Sequence, residues 1–200
     1  MIRRPFLPAA LAFPLAAIAF VGCAPEAAPA PTDTPAAAAP SASATPVGPE
    51  IAPFPTGATA STTALPADCD GLLTDEMRAE LEGIPLNAPG MGGGIREDST
   101  RVCVWADPAA TVTKLVVVIG YAPEREASDA LYLLQVDEGF KCYEPDGGVR
   151  CEKQWTNTDH AIEVTEGRTL FFRDGVIIDT QYTALAPQGF TASIVSKLWP

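Results

Sequence analysis

The residues that could do chemistry are few. The single histidine, His160, follows Asp159, the one place where a carboxylate neighbours an imidazole. A Ser–His–Asp arrangement needs an orienting acid across space, and no Gly-x-Ser-x-Gly elbow supplies a nucleophile. His160 therefore reads as a histidine at a strand entry. Asp68-Cys69-Asp70-Gly71 has the opening of a calcium loop but lacks the later ligand positions and the closing Glu. Glu163 with Glu166, or Asp137 with Glu138, would serve as a glycosidase pair, yet a chain with 25 acids supplies such neighbours by composition alone. The run Gly90-Met91-Gly92-Gly93-Gly94 lacks the Gly-Lys-Ser/Thr ending of a phosphate-cradling loop and reads as a surface loop. No catalytic residue, metal-ligand set or cofactor is assigned.

The cysteines are more informative. Five is an odd number, and an exported protein must account for the odd thiol. If Pro145 to Gly148 is a four-residue hairpin loop, Glu144 opposes Val149. Counting outward then places Cys142 opposite Cys151, near the Cβ spacing a disulfide requires. Gly148, last in that loop, is expected to take a positive φ. The remaining domain pair is Cys69 with Cys103, which ties the first helix to the first strand. Neither pair has Cys-x-x-Cys spacing, so both read as structural staples.

Cys23 is the fifth. Arg3 and Arg4 precede an uncharged apolar run from Pro5 to Val21, the layout of a secretory signal. Phe20-Val21-Gly22-Cys23 resembles the bacterial lipobox, with Phe20 where Leu is usual; a signal peptidase cuts before a cysteine that carries diacylglycerol. An uncleaved membrane anchor and a plain secretory signal cut elsewhere are the alternatives, the first disfavoured by Pro5, Pro8 and Pro14. Residues 24–66 are mainly Ala, Pro, Thr and Ser, with ten of the twenty prolines and Phe54 as the only aromatic residue. Such a segment cannot offset its chain entropy by burial and reads as a disordered tether. Thr32, Thr34, Ser41, Ser43 and Thr45 in it are candidates for O-glycosylation. The chain thus divides into a signal peptide at 1–22, a lipidated Cys23 with its tether at 23–66, and a globular domain at 67–200. Removing residues 1–22, which hold two arginines and no acid, takes the formal charge from −12 to −14. That balance excludes a nucleic-acid partner.

The domain's elements follow from periodicity. A short helix over 72–82 starts at Thr74 as N-cap, with Asp75 and Glu76 in its first turn. Strands are predicted over 101–106 and 114–121, the second apolar on both faces and therefore covered on both. Pro123 opens a helix whose Ala127, Ala130, Leu131 and Leu134 form one buried stripe, ended by Gly139. Strands follow near 140–144, 149–155, 161–166, 168–173 and 176–183, with turns at Glu166-Gly167 and Asp174-Gly175. A last helix starts near Phe190. The expected class is α+β: an antiparallel meander with two to three helices packed on it and two disulfides. Trp155 and Phe171 are the candidate exposed aromatics for contacting a ligand.

Cys103-Val104-Trp105, the stretch Leu170-Phe171-Phe172-Arg173-Asp174-Gly175-Val176, Gly189-Phe190-Thr191 and Leu198-Trp199-Pro200 give the chain a further character. Together with the lipobox, the Ala/Pro/Thr tether and the Asp-Cys-Asp start, this layout resembles small uncharacterised actinobacterial lipoproteins with a cysteine-paired extracellular domain. It is more distantly similar to extracellular sensor domains of actinobacterial serine/threonine kinases. The resemblance implies no active site. The expectation is a non-catalytic domain held by the lipid on Cys23 at the outer face of the cell membrane, binding a small molecule or a cell-envelope partner. A module without a pocket, or a cell-envelope hydrolase, are the alternatives. Intact-mass spectrometry of membrane-extracted protein is expected to show diacylglycerol on Cys23, and Cys23→Ala is expected to move to the aqueous phase. A water-soluble wild type without that mass would overturn the anchoring.

Overall fold

In the computed structural model, residues 61–110, 112–158 and 162–200 are described. Cys23, the glycosylation candidates Thr32, Thr34, Ser41, Ser43 and Thr45, and Asp159 and His160 lie outside them. Seven strands form one antiparallel sheet in the order β1-β2-β3-β7-β6-β5-β4. They are β1 (Gly94–Ile95), β2 (Arg101–Trp105), β3 (Lys114–Tyr121), β4 (Lys141–Tyr143), β5 (Val149–Asn157), β6 (Val164–Arg173) and β7 (Val176–Thr183). The helices are α1 (Asp75–Glu80), α2 (Glu124–Asp137) and α3 (Phe190–Leu198). β7 lies at the centre with β3 beside it, and α2 carries the chain from β3 to the far edge at β4. From there β4 to β7 meander back to pair with β3. The α+β class expected from the pattern is the one observed.

Local chemistry explains the elements. Thr74 caps α1, its side chain accepting from the Met77 N–H at 3.3 Å. Pro123 precedes α2, Glu124 and Glu126 occupy its first turn, and Ala127, Leu131 and Leu134 are its buried stripe. Asp174 and Gly175 both have positive φ, 50° and 75°, as a two-residue primed turn between β6 and β7 requires. In the β4–β5 loop the positive φ values fall on Asp146 and Gly147 rather than on Gly148. Gly148 is needed for space instead, since a Cβ there would sit 2.5 Å from Phe171 Cζ.

One sheet face packs under α1 and α3. Cys103, Trp105, Leu115, Val117, Ile119, Phe171 and Ile178 meet Leu72, Met77, Phe190 and Ile194 there. The other face carries two separate apolar clusters. Leu170, Phe172 and Ile177 lie under α2, while Val102, Val104, Val116 and Val118 group beside Met91. β3 is covered on both faces, as its uninterrupted apolar run requires.

Two expectations are corrected. No turn occurs at Glu166-Gly167: β6 runs unbroken from Val164 to Arg173. Gly167 sits in the strand because Tyr182, its cross-strand neighbour, fills the space a side chain would take. Phe171 is 0% exposed and packs in the core against Trp199, so it cannot contact a ligand at the surface. Its alternation with Leu170 and Phe172 was legible, but both sides of β6 are covered at that level. The folded body also takes in residues before Ala67. Ser61 donates to the Asp174 carbonyl at 2.7 Å, the Thr63 carbonyl accepts from Tyr121 at 3.0 Å, and Leu65 packs against the core.

Cys69 bonds Cys103, and Cys142 bonds Cys151 directly across the β4–β5 ladder. The loops they close differ, spanning 34 and 9 residues of sequence separation. Replacing both cysteines of the first pair by alanine is expected to cost about 3.8 kcal/mol, and of the second about 2.6 kcal/mol. Urea unfolding measures both, and the first loss should exceed the second.

Candidate functional site

Strand register places the polar residues of the half-covered face in rows. Trp155 opposes Glu166, Glu166 opposes Thr183, and Thr183 opposes Lys114, a single row across β5, β6, β7 and β3. The next row on the same face is Lys153, Arg168, Gln181 and Val116. α2 covers the rows beyond. Above these two rows an open cleft of about 320 Å³ lies between Met91, Ala110, Val112, Thr113 and the sheet.

The cleft's side chains hold one another in place. The Trp155 indole N–H donates to Glu166 Oε2 at 2.9 Å, and the Thr183 hydroxyl donates to Oε1 at 3.3 Å. The indole is thus oriented while 39% of Trp155 remains exposed. Lys114 completes the row; burial lowers its ammonium pKa, and the Glu166 charge raises it in partial compensation. Gln181 lines the cleft with its amide uncommitted to any other described residue. On the opposite face Tyr182 lies across Gly167. Burial raises its phenol pKa, opposed by a hydrogen bond with Gln154.

Arg168 and Asp179 close the inner end. Two bonds of 3.0 and 2.7 Å join the guanidinium to a carboxylate that is 1% exposed. Burial disfavours the charged Arg168, but the bonds and charge of Asp179 outweigh it, and the guanidinium pKa is raised. A bidentate pair this satisfied offers no spare acid or base. Removing either partner would strand a buried charge at a cost of about 3–5 kcal/mol.

Of the two aromatic residues singled out in the sequence, the structure brings Trp155 to the cleft and buries Phe171. Lys114, Gln181 and Thr183 were missed. Glu166 was noticed only as a neighbour of Glu163, whereas its partners lie across the strands. Reading β6 as continuous would have found them, because the Asp174-Gly175 turn fixes Glu166 opposite Thr183. Asp68 does not begin a metal loop here: its Oδ1 accepts from the Gly71 N–H at 2.8 Å, a local turn. Among the described residues no group of three His, Cys, Asp or Glu could hold a metal ion. The chain matches no protein-family model and no curated protein.

What the cleft offers is recognition chemistry: an apolar aromatic surface, an amide, and an opposed ammonium and carboxylate. Its ionisation has a measurable signature. Folded Lys114 releases its proton more readily than unfolded, so the unfolded chain binds more protons just below pH 10.5 and stability rises with pH there. Tyr182 has the opposite sign, since the folded phenol holds its proton longer and stability falls above pH 10.0. Lys114→Met is expected to flatten the rise and leave the fall, as read by denaturant unfolding across the alkaline range. Equal slopes in wild type and variant would contradict this account.

Proposed function

We propose that the chain is a lipid-anchored cell-surface lipoprotein whose domain binds a small polar ligand without transforming it. The observation that carries the reading is the cleft over the Trp155–Glu166–Thr183–Lys114 row. It has an exposed indole face, fixed by a hydrogen bond, beside an uncommitted amide. Polar side chains on a rigid sheet are positioned before a ligand arrives, which lowers the ordering cost of binding. The Lys114 and Glu166 charges have opposite signs, so the cleft favours neutral or zwitterionic molecules over strongly charged ones.

The remainder of the reading comes from the sequence. The Phe20-Val21-Gly22-Cys23 motif supports attachment through diacylglycerol on Cys23, at the outer face of the cell membrane. The tether supports a domain held clear of the bilayer, and the four domain cysteines are paired as an oxidising compartment allows. The resemblance to small actinobacterial lipoproteins points the same way.

Purification of the wild-type chain from membranes under native conditions, followed by denaturation and mass spectrometry of released small molecules, tests the reading. A small polar compound is expected in stoichiometric amounts with the wild type. Trp155→Ala and Gln181→Leu should each reduce it at least tenfold. Equal recovery from wild type and both variants, or no compound with any of them, would remove the cleft as the binding site.

A further inference from the structure

Of the three tryptophans, Trp105 is buried, Trp199 packs partly against the core, and Trp155 alone is exposed. An indole left 39% in water at the side of a cleft forgoes the gain from burial that the other two realise. The ring is also held in place, because its N–H is taken by Glu166 Oε2 at 2.9 Å. Half covered and fixed by one edge, the indole offers a single apolar side to the cleft.

The charges around it are largely spent within the protein. Both Glu166 oxygens already accept, one from the indole and one from the Thr183 hydroxyl at 3.3 Å. Lys114 is half-buried in the same row and interacts with that same carboxylate. A zwitterionic amino acid would bring an ammonium, and no uncommitted carboxylate lines the cleft to receive it. Gln181 differs, since its amide can donate and accept at once and no described residue occupies it. The cleft therefore suits a neutral molecule with one apolar face and a rim of groups that both donate and accept. A pyranose is built that way, with C–H groups over a ring face and hydroxyls around its edge. The negative face of an indole attracts such polarised C–H groups. A flat nucleobase has two apolar faces and no hydroxyl rim, so a one-sided platform in an open cleft would leave half of it uncovered.

We propose, resting on the reading of the cleft as a binding site, that its ligand is a neutral saccharide whose ring stacks on Trp155 and whose hydroxyls bond the Gln181 amide. Lys114 donates to a further hydroxyl from the end of its row. Trp155 on β5 and Gln181 on β7 stand two strand spacings apart across the sheet, roughly 10 Å. The cleft, about 320 Å³, is at the small end of ligand pockets. That room suits a mono- or disaccharide unit, and because the cleft is open the unit can belong to a longer glycan.

Titrating methyl β-D-glucoside, methyl β-D-galactoside and N-acetylglucosamine into the ¹⁵N-labelled full chain, held in a detergent that contains no sugar, tests this by NMR. The Trp155 indole N–H and the Gln181 side-chain amide are expected to shift saturably with at least one of these sugars. Adenosine and glycine at equal concentration should move them less. Trp155→Ala and Gln181→Leu should each weaken the sugar at least tenfold, while Tyr132→Ala, on the exposed side of α2, should leave it unchanged. No saturable shift with any of these sugars, or tighter binding of adenosine or glycine, would overturn the proposal. The wild-type shifts decide the matter even if a variant fails to fold. The binding-site reading fails separately. If no sugar binds but the natively purified chain releases another compound that Trp155→Ala loses, that reading stands and only the saccharide falls; if no sugar binds and nothing is released, both fall.

Discussion

The register of β5, β6, β7 and β3 is the constraint on which the rest of this domain depends. Side chains alternate between faces with a period of two, so a slip of one residue in any of these strands would exchange core for surface along its whole length. The two-residue turn at Asp174-Gly175 fixes β6 against β7, and the Cys142–Cys151 bond fixes β4 against β5. The first setting places Glu166 opposite Thr183; the β5–β6 and β3–β7 ladders bring Trp155 and Lys114 into the same row, while Phe171 and Ile178 fall on the other face.

The helices then decide which rows are wet. α1 and α3 share one face, and α2 covers only part of the other, over Leu170, Phe172 and Ile177. Hydrophobic burial drives both contacts, and neither reaches the two rows nearest the start of β3. Arg168 and Asp179 stand at that margin. Placed one row further in, under α2, the pair would lose its remaining solvent access; placed one row further out it would be a weak surface pair. Where it sits, Asp179 is 1% exposed and Arg168 anchors the floor beside the open cleft. The pair therefore shapes the site without being available to a ligand.

Much of this was legible in the sequence, and the reason differs by element. α2 was readable because its apolar residues recur at helical spacing between Pro123 and Gly139. The cysteine pairing was readable because a short hairpin turns spacing into opposition. Phe171 was misjudged because alternation tells which residues share a face but not what covers that face; α3, far along the chain, covers it. The Glu166-Gly167 break was misjudged because glycine in a strand has two causes, a turn or a close neighbour, and the neighbour here comes from β7. The cleft was the least legible feature. Its residues are spread over four strands, and none of them stands near another with a recognisable spacing.

Gly167 joins these points. Within a strand, glycine sacrifices side-chain packing and chain entropy, so its presence in the middle of β6 needs a compensating gain. A Cβ at that position would lie 2.4 Å from the Tyr182 hydroxyl oxygen. The glycine thus lets the Tyr182 ring lie flat against the sheet. Tyr182 lines a small cavity beside α3 on that face, away from the cleft over Trp155. Any side chain larger than hydrogen at position 167 would push the Tyr182 ring outward. The least conspicuous residue of the strand therefore sets where the Tyr182 ring lies.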